Sequence, residues 1–204
     1  LPIYIPVGHS RLTSQISNDS QLDLDYVINK LKLIFANNTK IKIAHNLKYD
    51  QAILNKYNTF IAPPIQDTML ESYVFNSTAN RHDLDTLALN ILNHTNIKYK
   101  DVTGSGAKQI NFSEVEINKA TEYASEDADI ALQLHQHFYP LLQQDEKLFS
   151  VYNTIELPLV NVLTKMENKG VLINSELLLT QSKELEITLE KLSNNIFNAV
   201  DQVF

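Results

Sequence analysis

The fold is decided by a stretch that reads Ile41-Lys42-Ile43-Ala44-His45-Asn46-Leu47-Lys48-Tyr49-Asp50. Its first four residues are mostly β-branched or small, and they predict a short strand. The residues from 47 to 58 predict a helix directly afterwards. Because a strand followed closely by a helix is the repeating unit of α/β proteins, we expect an α/β architecture around this stretch.

The segments on either side of this stretch repeat the alternation. Strands are predicted over residues 1–7, where the chain then meets Gly8, and from Ile65 onwards. Helices are predicted over residues 21–36, over 83–93, and from a cap at Asp67 through to Phe75. Strands therefore alternate with helices through the first two thirds of the chain, and this part is predicted to be an α/β domain.

A long helix is predicted to close that domain. Ser113 and Glu116 fit a capping box, in which Ser113 caps the helix and Glu116 bonds back to it. The helix is expected to continue to about Gln143, with a possible break near Ile117. A polar run around Asp145 follows, and it predicts a domain boundary between residues 1–145 and 146–204.

The remaining residues have a helical pattern throughout. A helix is predicted over residues 149–168, with a kink at Pro158 and an end at Gly170. Asn174 is predicted to cap a second, long amphipathic helix whose apolar positions carry mostly leucine. An α-helical segment is therefore expected to follow the α/β domain.

Composition excludes several classes of protein. The 204 residues include four glycines, six prolines and no cysteine, which excludes collagen-like and disulfide-stabilised folds. No apolar run reaches the ~20 residues that cross a bilayer, so no membrane contact is expected and a cytoplasmic location is predicted. The net charge of −7 argues against a stand-alone electrostatic DNA binder. The first residue is Leu1, which leads us to expect a piece of a longer product.

Two aspartates are predicted on apolar helix faces. At 100° per residue, Asp50 falls on the face that carries Leu47 and Leu54, and Asp127 falls on the face that carries Leu134. An unpaired carboxylate that faces a core costs several kcal/mol, so each must find a cation or a set of hydrogen bonds. A salt-bridged or cap-like buried aspartate remains an alternative for each, but two in one domain favour a metal site.

Four further motifs surround these aspartates. They read Asp67-Thr68-Met69-Leu70-Glu71-Ser72-Tyr73, Arg81-His82-Asp83, Tyr123-Ala124-Ser125-Glu126-Asp127-Ala128-Asp129 and Ile155-Glu156-Leu157-Pro158-Leu159-Val160. With Asn46-Leu47-Lys48-Tyr49-Asp50 they resemble the proofreading 3′-to-5′ exonuclease domain of the bacterial DNA polymerase I family, the family A DNA polymerases, followed by the first helices of the polymerase domain. The likeness extends over essentially the whole chain.

The resemblance implies a fold and a chemistry. It implies a ribonuclease-H-like (DnaQ-like) fold, with a mixed sheet flanked by helices, and hydrolysis of the terminal phosphodiester with two Mg²⁺ or Mn²⁺ ions. In this family four carboxylates hold the ions, and Asp50 and Asp127 match the aspartates of the second and third exonuclease motifs. Tyr123 matches the tyrosine that orients the attacking water.

The resemblance also implies contacts to the single-stranded 3′ end of DNA. Asn46 and Tyr49 belong to the second motif, and Asn46 is expected to contact the terminal nucleotide. Arg81 is expected to contact phosphate, and Tyr99 is expected to stack on a base. For Tyr99 a place in the core fits the sequence equally well. The other expected partner is the remainder of the polymerase polypeptide, on the bacterial nucleoid.

One element of the family pattern is missing. The first motif, Asp-x-Glu on the first strand, supplies the other two metal ligands and is expected upstream of Leu1. We therefore expect the chain alone to be inactive and to lack the middle strands of the sheet. The alternatives are a catalytically dead exonuclease-like domain that supports a polymerase and, less favoured, an interaction module built on the C-terminal helix.

Overall fold

The computed structural model describes residues 2–10 and 21–200, which form helices and one small sheet. The two strands are β1 (Lys42–Ala44) and β2 (Ile65–Asp67). The α-helices of the described residues are α1 (Leu24–Phe35), α2 (Leu47–Asn55), α3 (Thr68–Phe75), α4 (Leu84–Leu92), α5 (Tyr99–Thr103), α6 (Ile117–Gln143), α7 (Glu146–Val151), α8 (Leu157–Lys169) and α9 (Ser175–Val200). No helix within these ranges is long and apolar enough to cross a membrane.

The two strands confirm the alternation predicted from the sequence. β1 and β2 pair in parallel, with Lys42 opposite Ile65 and Ala44 opposite Asp67, and α2 forms the crossover between them. The predicted mixed sheet was wrong for the described residues, which contain this parallel pair alone.

The N-terminal strand was also wrong as a prediction. Residues 2–7 form no strand, and Pro2 and Pro6 lack the N–H groups that a ladder requires. The segment is instead held by its polar groups: His9 Nδ1 lies 2.9 Å from the Val115 carbonyl, and Ser10 N–H donates to the Ser113 carbonyl at 2.7 Å. Leu1 lies outside the described residues.

Most of the predicted helix caps are confirmed. Asp67 accepts from the N–H groups of Met69 and Leu70, and Asn174 accepts from Leu177 N–H. The capping box at Ser113 was wrong: Ser113 lies in a 3₁₀ turn over Phe112–Glu114, and α6 begins at Ile117. Glu114, rather than Glu116, bonds back to the preceding turn, because the 3₁₀ turn places it opposite Asn111 N–H at 2.8 Å.

The kink predicted at Pro158 takes the form of one wide turn. A π-helical turn over Tyr152–Glu156 separates α7 from α8. Pro158 has no N–H to donate to the carbonyl one turn back, so the helix accommodates it with this turn. Gly170 then adopts a φ of +71° just after α8, as predicted for a helix end.

The main core joins the sheet, α2 and α6 to the helices after residue 145. Its buried members are Leu47, Ile61, Ile65, Leu142, Tyr152, Leu157 and Val160. A second cluster, Leu87, Ala88, Ile130, Leu134 and Phe138, joins α4 to α6. The chain divides into compact units of Leu1–Asn168 and Lys169–Phe204, and the second consists mainly of α9. The functional boundary near Asp145 stays a prediction.

Candidate functional site

A cleft of about 790 Å³ lies between β1, α2 and α6, and two of the predicted metal ligands line it. Asp50 reaches it from the first turn of α2, and Asp127 from α6. The rest of the lining is largely apolar, but it also includes Lys42, His45 and Tyr49. Its apolar members are Phe35, Ile43, Ala44, Leu47, Ile53, Leu54, Ile61, Leu84, Ala128 and Ala131. The structure therefore places the two aspartates, which are distant in sequence, at one cavity.

The cleft makes ionisation of Asp50 unfavourable. Asp50 keeps contact with solvent, yet the surrounding protein atoms displace enough water to raise its pKa to about 6. The negative charge of Asp67, behind α2, adds to the increase. A carboxylate in this state gains most from a nearby positive charge.

Asp127 is in the same electrostatic condition. Burial raises its pKa to about 6, although a hydrogen bond from the Tyr123 hydroxyl acts in the opposite direction. The charges of Asp85 and Glu126 add to the increase. Burial and the Asp127 charge together raise the pKa of Tyr123, so its hydroxyl stays protonated at neutral pH.

Among residues 2–10 and 21–200, neither aspartate of the cleft has a cationic side chain as partner. The ion pairs found within the described ranges join Lys48 to Glu167, Arg81 to Asp83, His94 to Glu126 and His135 to Glu71. The main alternative to a metal was an ion pair with a lysine. The described residues show no such pair for Asp50 or Asp127.

The donor set fits a hard divalent cation in chemistry but not in number. Carboxylate oxygens are the ligands that Mg²⁺ and Mn²⁺ prefer, and Mg²⁺ often uses only one or two protein carboxylates beside water and phosphate oxygens. No group of three or more His, Cys, Asp or Glu side chains is arranged around a possible ion among residues 2–10 and 21–200. Asp50 and Asp127 alone would therefore not complete a ligand set for such an ion.

The predicted DNA contacts are spread over the surface around the cleft. Tyr49 lines the cleft and is 66% exposed, whereas Asn46 lines a separate pocket of about 100 Å³ beside α8. Arg81 lies in a third pocket and pairs with Asp83 at 2.7 Å. The structure does not bring Asn46 or Arg81 into the cleft with Asp50.

Tyr99 combines both of its predicted environments. Its ring stacks on Phe112 with a centroid distance of 6.1 Å and meets the edge of Tyr123 at the same distance, yet the residue is 45% exposed. It therefore belongs to an aromatic cluster next to the tyrosine of the third motif while keeping an accessible face.

Sequence reasoning missed a group of buried polar side chains behind the site. Glu71 and Tyr152 are fully buried, and His135 Nδ1 lies 2.7 Å from Glu71 Oε1. The available signal was the position of Glu71 one helical turn after Asp67, which places both acids on one side of α3.

The chain matches a known family of proteins. A family model described as 3′-5′ exonuclease matches residues 8–143, about two thirds of the chain. The chain belongs to the 3′-5′ exonuclease family of the family A DNA polymerases. This membership confirms the resemblance inferred from the motifs, and it makes the exonuclease domain a member of an enzyme family that generally uses divalent metals.

The relatives are much longer proteins. The chain is 40% identical over 98% of its length to DNA polymerase I of Pseudomonas aeruginosa, and 35% identical over 95% to DNA polymerase I of Rhizobium leguminosarum. It spans 22% and 19% of these two relatives, about a fifth of each.

A solved structure resembles the chain in fold. The POL domain of Pol1 from M. smegmatis, in a complex with DNA primer-template and dNTP, matches 93% of this chain and 29% of its own, with a TM-score of 0.59 and 17% sequence identity. At this identity the match supports a shared fold, which is consistent with the family assignment.

Proposed function

We propose that the chain is the proofreading exonuclease portion of a DNA polymerase I. It removes the 3′-terminal nucleotide from single-stranded or mispaired DNA by metal-dependent hydrolysis of the last phosphodiester. The proposal is supported by the position of Asp50 and Asp127 at one largely apolar cleft, where no cationic side chain of the described residues pairs with either of them. A ribonuclease-H-like arrangement of the complete domain is part of the same proposal.

Asp50 and Asp127 are the residues that would hold Mg²⁺ or Mn²⁺, together with further carboxylates of the complete site. When bound, a pair of such ions supplies a water activated for attack and neutralises charge on the departing 3′ oxygen. The cleft itself contributes two carboxylates whose raised pKa values favour exchange of a proton for a cation near neutral pH.

Tyr123 has a role that needs only its own hydroxyl. The group remains protonated at neutral pH and lies within hydrogen-bonding reach of Asp127. It can therefore orient a water molecule beside the scissile phosphate by a hydrogen bond. Contact with Phe112 and Tyr99 limits the movement of the Tyr123 ring, which keeps the hydroxyl directed at one place.

DNA binding is proposed to be weak within this domain. The net charge of −7 opposes phosphate contact, so affinity comes largely from tethering to the rest of the polymerase on the bacterial nucleoid. Asn46 and Tyr49 are proposed at the terminal nucleotide, with Arg81 and Tyr99 along the single strand. Substrate selection then depends on an unpaired 3′ end rather than on base sequence.

The proposal is tested by digestion of a 3′-labelled single strand with the full-length polypeptide that contains this domain. Mn²⁺-dependent release of the label is expected from the wild type and not from Asp127→Ala. The matched control is Asp129→Ala, which alters an exposed aspartate two residues away on the same helix. Equal digestion by wild type and Asp127→Ala contradicts the role of Asp127. A wild type without activity supports the alternative, a vestigial domain with a structural role.

A further inference from the structure

The carboxylate of Asp67 joins the N-termini of two helices. Its Oδ2 accepts from Leu47 N–H at 2.8 Å and its Oδ1 from Asn46 N–H at 3.0 Å, both at the start of α2. Oδ1 also accepts from Met69 N–H at 3.0 Å and, more weakly, from Leu70 N–H at 3.4 Å, both in α3. One buried side chain thus holds the first turns of both helices.

Helix α2 depends on this contact because its own cap residue makes no such bond. Asn46 has a left-handed φ of +65°, and its side chain does not bond to the helix. The first N–H groups of a helix have no partner within it, and a negative group there also meets the positive end of the helix dipole. Asp67 supplies both from another element of the fold.

The Asp67 carboxylate, which we call the clamp, is itself held in place by neighbouring groups. Asp67 is the last residue of β2, paired with Ala44, and it is 1% exposed. Its N–H donates to the Tyr152 hydroxyl at 3.1 Å, and that hydroxyl donates to Gln66 Oε1 at 2.7 Å. The strand end that carries Asp67 is therefore fixed from behind by a side chain with no solvent exposure.

We propose that Asp67 is a positioning residue of the exonuclease site. Asp67 does not line the cleft; it acts through the backbone of Asn46 and Leu47, which begin the turn that carries Asp50. Metal sites require their ligands to be held to within about 0.5 Å, and the partners that orient a ligand contribute accordingly. The inference rests on the proposed function.

Two substitutions in the full-length polypeptide separate the contact of Asp67 with α2 from its contact with α3. Asp67→Asn is nearly isosteric but replaces one oxygen with an amide that cannot accept a hydrogen bond from α2. Asp67→Ser keeps a good cap for α3, while its short side chain cannot reach α2. Asp23→Asn is the matched control, because Asp23 caps α1 through Tyr26 N–H and contacts neither α2 nor α3.

Each variant is studied at a temperature where circular dichroism shows it folded. Mn²⁺ binding is measured by electron paramagnetic resonance, and digestion of a 3′-labelled single strand gives the rate and the KM for DNA. Both Asp67 variants are expected to weaken Mn²⁺ binding and to lower the rate at saturating DNA by about 10–100-fold. The KM for DNA is expected to change less than the rate, since Asp67 itself is not a proposed DNA contact. Asp23→Asn is expected to match wild type.

The outcomes distinguish this inference from the function on which it rests. Folded Asp67 variants that bind Mn²⁺ and digest DNA as the wild type does would overturn the positioning role. A loss of activity that is proportional to the unfolded fraction of the protein would also overturn it. If Asp67→Asn does not fold, Asp67→Ser decides; if neither folds, Asp67 is a folding residue and the proposal fails. A wild type that binds Mn²⁺ but does not digest DNA contradicts the proposed function, while the Mn²⁺ measurement still tests Asp67.

Discussion

The molecule contains two pairs of acids that are treated in opposite ways. Asp67 and Glu71, the framework acids, are 1% and 0% exposed, and each is bonded to groups from other elements. Asp50 and Asp127, the cleft acids, are more accessible, yet no ion pair of the described residues includes them. The two pairs therefore differ in the origin of their partners: Asp67 and Glu71 bond to groups from distant elements, whereas Asp127 accepts from Tyr123 on its own helix.

The two pairs of acids have opposite effects on the free energy of folding. The framework acids are hydrogen-bonded to other elements, although Oε2 of Glu71 has no partner among the described residues, and their bonds stabilise the arrangement of α2, α3 and α6. The cleft acids are held near other charges and apolar groups at a cost in folding free energy, which only a ligand can offset. The two pairs should respond in opposite directions when they are removed.

The largest expected effect is the loss of nuclease activity on removal of a cleft acid. Asp50→Ala should lower the rate of 3′-end digestion by at least about 1,000-fold. A metal ion bound in the wrong position loses several kcal/mol of transition-state stabilisation. Adding Asp127→Ala to it should slow digestion by little more, since the two residues act as one unit. Fully multiplicative losses, measured under single-turnover conditions, would contradict a shared site.

Removal of a framework acid should primarily affect stability. Glu71→Ala leaves His135 Nδ1 and the Tyr152 hydroxyl without this partner inside the protein. The expected cost is about 3 kcal/mol, which lowers the Tm by about 6–12 °C in a domain of this size. Calorimetry of Glu71→Ala beside Glu122→Ala, an exposed position on α6, measures it. A Tm unchanged in both would show that Glu71 does not support the framework.

Removal of the charge from a cleft acid should stabilise the metal-free domain. The folded-state pKa of Asp127 is about 6, above the ordinary value of 3.8, so the folded chain binds more protons than the unfolded one between these values. Stability therefore falls as the pH rises through this window, and above it the ionised Asp127 is a cost. Asp127→Asn avoids that cost.

At pH ~7.5 in the presence of a chelator, Asp127→Asn is expected to raise the free energy of unfolding by about 1 kcal/mol and the Tm by about 2–4 °C. This is less than the full effect of the pKa shift, because Asp127 is partly solvated. The gain should shrink toward pH ~4, where folded and unfolded chains are both largely protonated. Asp129→Asn should show neither change. A gain that does not vary with pH would contradict the electrostatic explanation.

The smallest expected effect concerns the surface cation proposed to meet DNA. Arg81 is exposed and already pairs with Asp83, so Arg81→Ala should raise the KM for single-stranded DNA only about two- to fivefold. It should also make the salt dependence of binding shallower by up to about one phosphate contact. Lys30→Ala, on the exposed side of α1, is the control for a general change in charge. Equal effects of both substitutions would remove Arg81 from the binding surface.

The parts of the fold that were predictable share a local cause. The β1–α2 unit, the caps at Asp67 and Asn174 and the end of α8 at Gly170 each follow from residues within one or two turns. The errors arose where the outcome depended on distant partners. Residues 2–7 look apolar enough for a strand but form none. Ser113 was predicted to cap a helix, but it lies within a 3₁₀ turn.

By itself, the sequence determined the family and the two cleft acids, because helical periodicity puts Asp50 and Asp127 on apolar faces whatever the rest of the chain does. Only the tertiary structure decided that both faces meet at one cleft, and that Asp67 holds the start of α2 while Glu71 pairs with His135. Periodicity is a property of neighbouring residues. Hydrogen bonds between residues far apart in the chain leave no such local signal, so the framework behind the site had to be observed.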